Sequence, residues 1–329
     1  MIGYVVRRLV GAVIVLLVLS AVVYGLFYAG PSNPALLACG KGCTPDHLAE
    51  VKSAMGLDKS LGDQYLSFLH GIFFGHDYSS GPSVRSCPAP CLGYSFETDQ
   101  SVTSILTSAL PVSASLALGA LVLSLLLGVG SGLVTVLSGR RWLDRGLNAV
   151  VLLGYSTPVF LVALVLLIVF CSDLKWLPFP NYVPLTQNPG QWAQNLLLPW
   201  IALALIGSAS YARMTRAQML ETLSEDHVRT ARAYGLSERR VITGHVLRGA
   251  LTPLVTMAAI DLAAIMTSAV LTESMFGLPG IGHALVDAVH GGDLPVIVGV
   301  TVAAGSLYIL ANALADILYA AIDPRVELA

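Results

Sequence analysis

The chain has 329 residues, of which 55% are hydrophobic and only 12% charged, with a formal net charge of −2. Soluble globular domains carry about 25% charged residues, so roughly half the usual charge is missing and an ordinary water-soluble domain is excluded. The small net charge says little about partners, whereas its distribution along the chain says much.

The first element is the apolar run Leu9–Ala29, 21 positions without a charge. About 20 apolar residues in helical form cross a bilayer. A cleavable signal peptide has a shorter apolar part, about 7–15 residues, so a membrane span is the better reading. Similar runs recur, and the sequence predicts membrane helices near 9–29, 104–136, 147–170, 195–219, 250–275 and 296–321. Backbone groups in lipid have no water to bond, so each span must be helical. The fold class expected is all-α and integral to the membrane, with six transmembrane helices. Pro111, Pro158, Gly128 and Gly130 should face other helices, and the small residues Gly128, Gly130, Ser131 and Gly132 suit a helix–helix interface. Tyr155-Ser156-Thr157-Pro158 predicts a kink in the third span, which either bends that helix or shapes a solute pathway through Ser156 and Pro158.

Between the first two spans lies a polar segment, 30–103, rich in Pro and Gly. It contains one amphipathic stretch, from His47 to about Phe74, with Leu48, Val51, Ala54 and Met55 at helical spacing. A small folded cap is expected there. Cys39, Cys43, Cys87 and Cys91 all fall within it. An even cysteine count in an oxidising compartment points to disulfides, and the possible pairings stay open. The rival is a metal site that adds His47, His70 or His76, but C-x-x-x-C is looser than the usual zinc spacing. Cys171, at the end of the third span, reads as a packed free thiol.

Orientation follows from Lys and Arg, which accumulate on the cytoplasmic side. With the N-terminus inside, thirteen basic residues lie in cytoplasmic segments against five outside, namely Lys41, Lys52, Lys59, Arg85 and Lys175. Both ends are therefore expected in the cytoplasm and the cysteine-bearing segment outside.

The loop between the fourth and fifth spans, Ser224 to Pro253, reads as two short helices. Ser224 is placed to cap the first, with Glu225 and Asp226 in its first turn. Gly235 suits the left-handed position that closes it. Ser237 and Glu238 open the second. A positive-inside anchor is the plain reading of so many Arg residues; the ordered caps and the small Ala231 and Ala233 favour a docking surface. A DNA-binding helix-turn-helix is disfavoured because both ends enter the bilayer within a few residues.

At this point the sequence resembles a known family, the permease subunits of bacterial dipeptide/oligopeptide (peptide/nickel) ABC importers. Their cytoplasmic loop carries Glu-Ala-Ala, three residues, then Gly. Here Arg229, Thr230 and Ala231 stand in the first three places and Gly235 matches, so no carboxylate role carries over to position 229. RTARAYGLSERRV resembles the peptide branch, as do YVVRRLVGAVIVLLVLS, MGLDKSLGDQYLSFLHGIFFG, LTESMFGLPGIGHALVDAVHGGDLPVIVG and LADILYAAIDPR, in order along nearly the whole chain. The part near 79–100 looks like an insertion.

The resemblance implies a type I importer in the bacterial plasma (inner) membrane. A second, homologous permease would complete a heterodimeric pore for peptides, two cytoplasmic ATPase subunits would bind ATP and Mg, and an extracytoplasmic binding protein would deliver solute. It divides the chain into an N-terminal span (1–29), an extracytoplasmic segment (30–103) and a permease core (104–329) whose coupling loop covers about 222–248. Arg229, Thr230, Ala231, Tyr234, Gly235 and Glu238 are the expected ATPase contacts. Nickel complexes and glutathione-like solutes are alternative cargoes of the same machinery.

Ionisable residues inside a span are functional suspects. Asp261 and Glu273, in the fifth span, are candidate gate or pathway residues, weighed against packing hydrogen bonds; Asp316 should anchor the inner end of the sixth. A membrane-embedded enzyme using these carboxylates is the rival from another class, and an anchor displaying the outer segment is a third. The chain lacks a phosphate-loop motif, H-E-x-x-H and G-x-S-x-G; Gly277, Pro279, Gly280 and Gly282 read as a tight turn. No catalytic residue, no cofactor or metal on this chain and no nucleic-acid partner are expected.

Overall fold

The computed structural model describes residues 2–28, 44–54, 56–80, 83–138 and 156–322, together with positions 35, 142, 145, 146, 149 and 150. The charge-free runs become long helices: α1 (Ile2–Tyr28), α4 (Val102–Ser138), α6 (Pro189–Leu223) and α12 (Leu294–Ile322). All four are long and apolar enough to cross a membrane. A fifth candidate is bent by 45° between Leu251 and Pro253, where proline removes an N–H from the helical ladder and its ring crowds the preceding turn.

The other predicted spans come out differently. The third is described at positions 149 and 150 and then from Ser156 onward, and the helix Val159–Asp173 is about 22 Å long at 1.5 Å per residue, short of the roughly 30 Å hydrocarbon core. Pro158 stands at the start of this helix. It occupies the N-cap of α5 (Val159–Leu166), and its carbonyl accepts from Leu161 N at 3.0 Å; a π-helical turn, Leu167–Asp173, follows. The fifth begins earlier than expected and breaks at Ala269 into α9 (Leu247–Ser268) and α10 (Val270–Met275).

The chain divides into two compact units, one formed by 1–113 with 279–329 and the other by 114–278. In the first, α1 packs along α12, and Gly305 leaves room for Leu19, which a Cβ at that position would strike. Val23 and Tyr24 bury against Val298 and Val302. A second cluster joins Val102, Leu106 and Ala109 of α4 to Ile281 and Ala288 of α11 (Ile281–Gly291) and to Ile297 and Val300 of α12. Asp293 caps α12, its carboxylate accepting from Val296 N and from Ser95 Oγ while its own backbone N donates to Ala288 O at 2.8 Å; burial lifts this carboxyl above its ordinary range.

The predicted amphipathic stretch is two helices, α2 (Pro45–Ala54) and α3 (Leu61–Phe74). Gly56 adopts φ +66° between them, and Ser60 starts α3 afresh by accepting from Asp63 N at 3.3 Å. After α3 the chain turns to short β-structure. Strands β1 (His76–Ser80) and β2 (Ser83–Cys87) pair antiparallel, His76 opposite Cys87, and the two-residue strands β3 (Tyr94–Ser95) and β4 (Gln100–Ser101) pair likewise. The helix-only expectation is corrected here: the segment carries two small hairpins. Cys87 and Cys91 are joined by a disulfide, and Cys91 N donates to Gly71 O of α3. Cys39 and Cys43 lie outside the described residues.

In the second unit, α4 and α6 approach closely along small residues. A Cβ on Gly128 would lie 2.8 Å from Ser208 O, and one on Gly132 2.8 Å from Ala212 O, whereas Gly130 faces open space. Trp200 Nε1 donates to Ser115 O at 3.1 Å. Tyr211 and Leu254 bury with Leu121, which ties α9 into the same bundle.

Candidate coupling segment and intramembrane carboxylates

Beyond α6 the chain forms α7 (Asp226–Ala233), a turn, and α8 (Glu238–Val241), which continues through a π-helical turn, Ile242–Val246, into α9. Val228 and Ala231 of α7 stand three residues apart on one side, so one narrow stripe is buried and the rest, Ala233 included, faces out. Val228 and Ala231 form that stripe, packed with Met219, Val241, Ile242, Val246 and Ala250. Ala231 is thus part of the segment's own core, 7% exposed, and its small side chain lets α7 lie close to its neighbours; it does not share the outward face expected of it. Arg229, Thr230, Tyr234, Gly235 and Glu238 are exposed, and Tyr234 stands 83% clear of the protein.

The turn between α7 and α8 depends on Gly235. Its φ of +77° lies in the left-handed region, where a side chain is strained and glycine is not. Gly235 N donates to Arg232 O, and Leu236 N reaches back to Ala231 O at 3.4 Å. The capping differs from expectation at Ser224. That residue ends α6, its hydroxyl donating back to Glu221 O at 2.7 Å, while Glu225 takes the extended N-cap backbone of α7 without a side-chain cap. Ser237 likewise holds the N-cap position of α8 without a side-chain bond. Arg232, which the sequence did not single out, donates from Nε and Nη2 to the two carboxylate oxygens of Glu238 at 3.1 and 2.6 Å. Hydrogen bonding to Glu238 pushes the Arg232 pKa up. Arg229 makes a looser 3.4 Å contact to Asp226 on its own helix.

The two candidate carboxylates are set differently from one another. Asp261, on α9, accepts a 2.6 Å hydrogen bond from the Tyr211 hydroxyl of α6, and is half-buried. Tyr211, 1% exposed, had no sequence signal as its partner. Glu273, on α10, is also 1% exposed; its backbone N donates to Ala269 O at 2.8 Å and its carbonyl accepts from Leu278 N at 2.9 Å, which closes the end of α10. Gly277 follows at φ +62° and Gly280 is the N-cap of α11, a helix-to-helix turn. Ser156 and Pro158 are exposed at the start of α5. Cys171 is a buried free thiol whose Sγ lies 3.4 Å from Pro178 O. The side chain of Asp316 lies outside the described residues. Among the described residues no group of three or more His, Cys, Asp or Glu is placed to hold a metal ion.

The first unit also holds a cavity of about 300 Å³ whose lining includes Tyr24, Phe68, His76, Tyr78 and Tyr94. Burial pushes the His76 imidazole down, helped by Lys59, and pushes the Tyr78 hydroxyl up to about 12.

Comparison with known proteins bears on the whole chain. Residues 120–328 match the family model described as binding-protein-dependent transport system inner membrane component, and residues 1–117 match its N-terminal companion. A putative peptide transport system permease protein of Brucella abortus is 34% identical over 327 residues, 99% of both chains. The dipeptide transport system permease protein of Alkalihalophilus pseudofirmus is 30% identical, covering 99% of this chain and 100% of its own. The glutathione transport system permease protein of Escherichia coli is 31% identical over 99% of each. With long apolar helices, an ordered helix–Gly–helix loop and a family model covering well over half its length, the chain belongs to the family of binding-protein-dependent transport system inner membrane components, and is a multi-pass permease subunit.

Proposed function

We propose that this permease carries peptides inward across the bacterial plasma membrane, as one half of a pore completed by a second, homologous permease. The observation that carries this is the end-to-end match, 99% of both chains, to a relative named as a peptide transport permease. Two cytoplasmic ATPase subunits and an extracytoplasmic binding protein complete the machine, and ATP and Mg belong to the ATPases. The chain crosses the membrane six times with both ends inside, the third and fifth spans being the short helix of 159–173 and the bent helix around Pro253. The thirteen-to-five distribution of Lys and Arg supports this orientation.

The exposed face of α7, with Arg229, Thr230, Tyr234 and the Gly235 turn, docks on an ATPase. A ligand shifts an equilibrium only by its differential affinity for the two states, so the ATP-bound pair of ATPases must grip one arrangement of the permease more tightly. The buried Val228–Ala231 stripe then transmits that preference into α6 and α9. Asp261 and Glu273 serve packing and gating rather than chemistry. A glutathione-like cargo is the second reading, favoured by the 31% match to a glutathione permease. The test is reconstitution of the purified complex in vesicles with di- and tripeptides and glutathione as cargo. ATP-dependent accumulation of peptide is expected; accumulation without nucleotide, or with the ATPases removed, would sink the proposal.

A further inference from the structure

Helix α3 has three faces rather than two. Taking about 100° per residue, Gln64, Phe68 and Gly71 fall on its packed side: Gln64 and Gly71 are buried, and Phe68 lies against Tyr24 of α1, ring centroids 5.5 Å apart. Asp63, Ser67 and His70 form a polar arc about 60° wide, interrupted at the helix's last residue by exposed Phe74, whose ring stacks on His70. Leu66, Leu69 and Phe73 form a third arc of about the same width, and Leu66 and Phe73 are 63% and 73% exposed. Single exposed apolar residues are ordinary. A continuous apolar stripe beside a polar stripe on one helix is the pattern of a helix lying in a membrane interface.

Depth comes from Tyr65, at the edge of the apolar arc. Its hydroxyl donates to Leu17 O at 3.2 Å and shares a 2.8 Å hydrogen bond with Ser20 Oγ. Ser20 and Leu17 lie eight and eleven residues before Tyr28, the last residue of α1, about 12–16 Å down its axis at 1.5 Å per residue. Both are inside the charge-free run that crosses the bilayer. Beside them α1 itself exposes Val18, Val22 and Leu26. Helix α3 is therefore fastened to a part of α1 that is immersed in hydrocarbon.

We propose that α3 is an interfacial helix whose Leu66–Leu69–Phe73 face rests among the acyl chains of the leaflet at the C-terminal end of α1, with Asp63, Ser67 and His70 turned to water. Lipid is the occupant because the stripe is narrow, adjoins a membrane-crossing helix, and gives way to the polar arc within about 40°. The contact makes the segment after α1 a membrane-seated element rather than a cap held clear of the bilayer, and it holds whichever side that end of α1 faces.

The experiment places the photoreactive residue p-benzoylphenylalanine at position 73, 66 or 70 of the full-length protein in phosphatidylcholine vesicles, followed by illumination and mass spectrometry. Phospholipid adducts are expected at 73 and 66, and few or none at 70. Adducts at 73 and 66 that are mainly to polypeptide would assign the face to a protein partner, and absence of lipid adducts there would place it in water; either result overturns the proposal. No solute moves in this assay, so its failure leaves the transport reading standing.

Discussion

Arg232 and Glu238 close the turn at Gly235 with a two-point grip, the guanidinium Nε and Nη2 each donating to a separate carboxylate oxygen at 3.1 and 2.6 Å. The pair joins the end of α7 to the start of α8 and so fixes the angle at which α7 is presented. Both partners are exposed, so their worth lies in geometry rather than in bulk stability: exposed ion pairs contribute little on average, while a bidentate pair adds directional constraint. Arg232→Ala and Glu238→Ala should leave expression and thermal unfolding nearly unchanged while lowering ATP-coupled uptake severalfold. The exchanged pair Arg232→Glu/Glu238→Arg should recover part of that loss. Equal uptake in wild type and both alanine variants would remove the pair from coupling.

Gly235 offers a cleaner case, because a Cβ there would meet nothing within 4 Å. Any penalty of substitution is then conformational and not steric. Placing a β-branched side chain at φ +77° should cost about 1–3 kcal/mol, and Gly235→Val should loosen the α7–α8 turn and weaken co-purification of the ATPase. Gly235→Asn, which tolerates the left-handed region, should lie between valine and wild type. A valine variant with normal uptake would count against the docking role.

The long helices were legible because absence of charge is a signal along one dimension. Those near 9–29, 104–136, 195–219 and 296–321 appear within several residues of their expected limits. What failed was punctuation. Ser224-Glu225-Asp226 reads as an N-cap, but α6 runs on to Leu223 and takes the Ser224 hydroxyl for its own last turn. Ala269, where α9 gives way to α10, carries neither Gly nor Pro to announce it. The Gly235 turn was readable because glycine is the residue that its backbone favours. Pairing was not: Tyr211 and Asp261 stand 50 residues apart, and nothing local in either stretch specifies the other.

That pairing has a measurable worth. In bilayers, interhelical side-chain hydrogen bonds average about 0.6 kcal/mol and reach about 1.7 kcal/mol. Tyr211→Phe removes the donor and keeps the ring, so thermal unfolding in detergent should show a loss in that range. Asp261→Asn retains an acceptor and should cost less. If Tyr211→Phe is neutral in stability yet impairs uptake, Asp261 belongs to the pathway instead of the packing.

His76 gives the segment between α1 and α4 a pH dependence with a definite sign. Its folded pKa lies below the ordinary 6.5, so the unfolded chain binds the proton more readily. Stability is then fully present above pH 6.5 and declines as pH falls from there toward the folded value. Unfolding of the hairpin region, followed by hydrogen exchange of β1 and β2, should become easier between neutral and mildly acid pH. His76→Gln should flatten that dependence, and an unchanged slope would assign it to other groups.

The close approach of α4 and α6 predicts opposite outcomes for neighbouring glycines. Gly128 and Gly132 fall four residues apart on the same face, and added Cβ atoms would lie 2.8 Å from Ser208 O and Ala212 O, backbone atoms that cannot turn aside. The helices would have to separate, and overpacking of this kind typically costs about 1–3 kcal/mol. Gly130 lies between them in sequence but has nothing within 4 Å of its Cβ position. Gly130→Ala should be neutral or slightly stabilising, since alanine is the better helix former. Thermal unfolding of the three alanine variants in one detergent makes the comparison internal. Destabilisation at 128 and 132 with none at 130 follows from helix contact along one face. Equal effects at all three positions would mean that glycine matters here for backbone flexibility, and that the α4–α6 interface is not held by close contact.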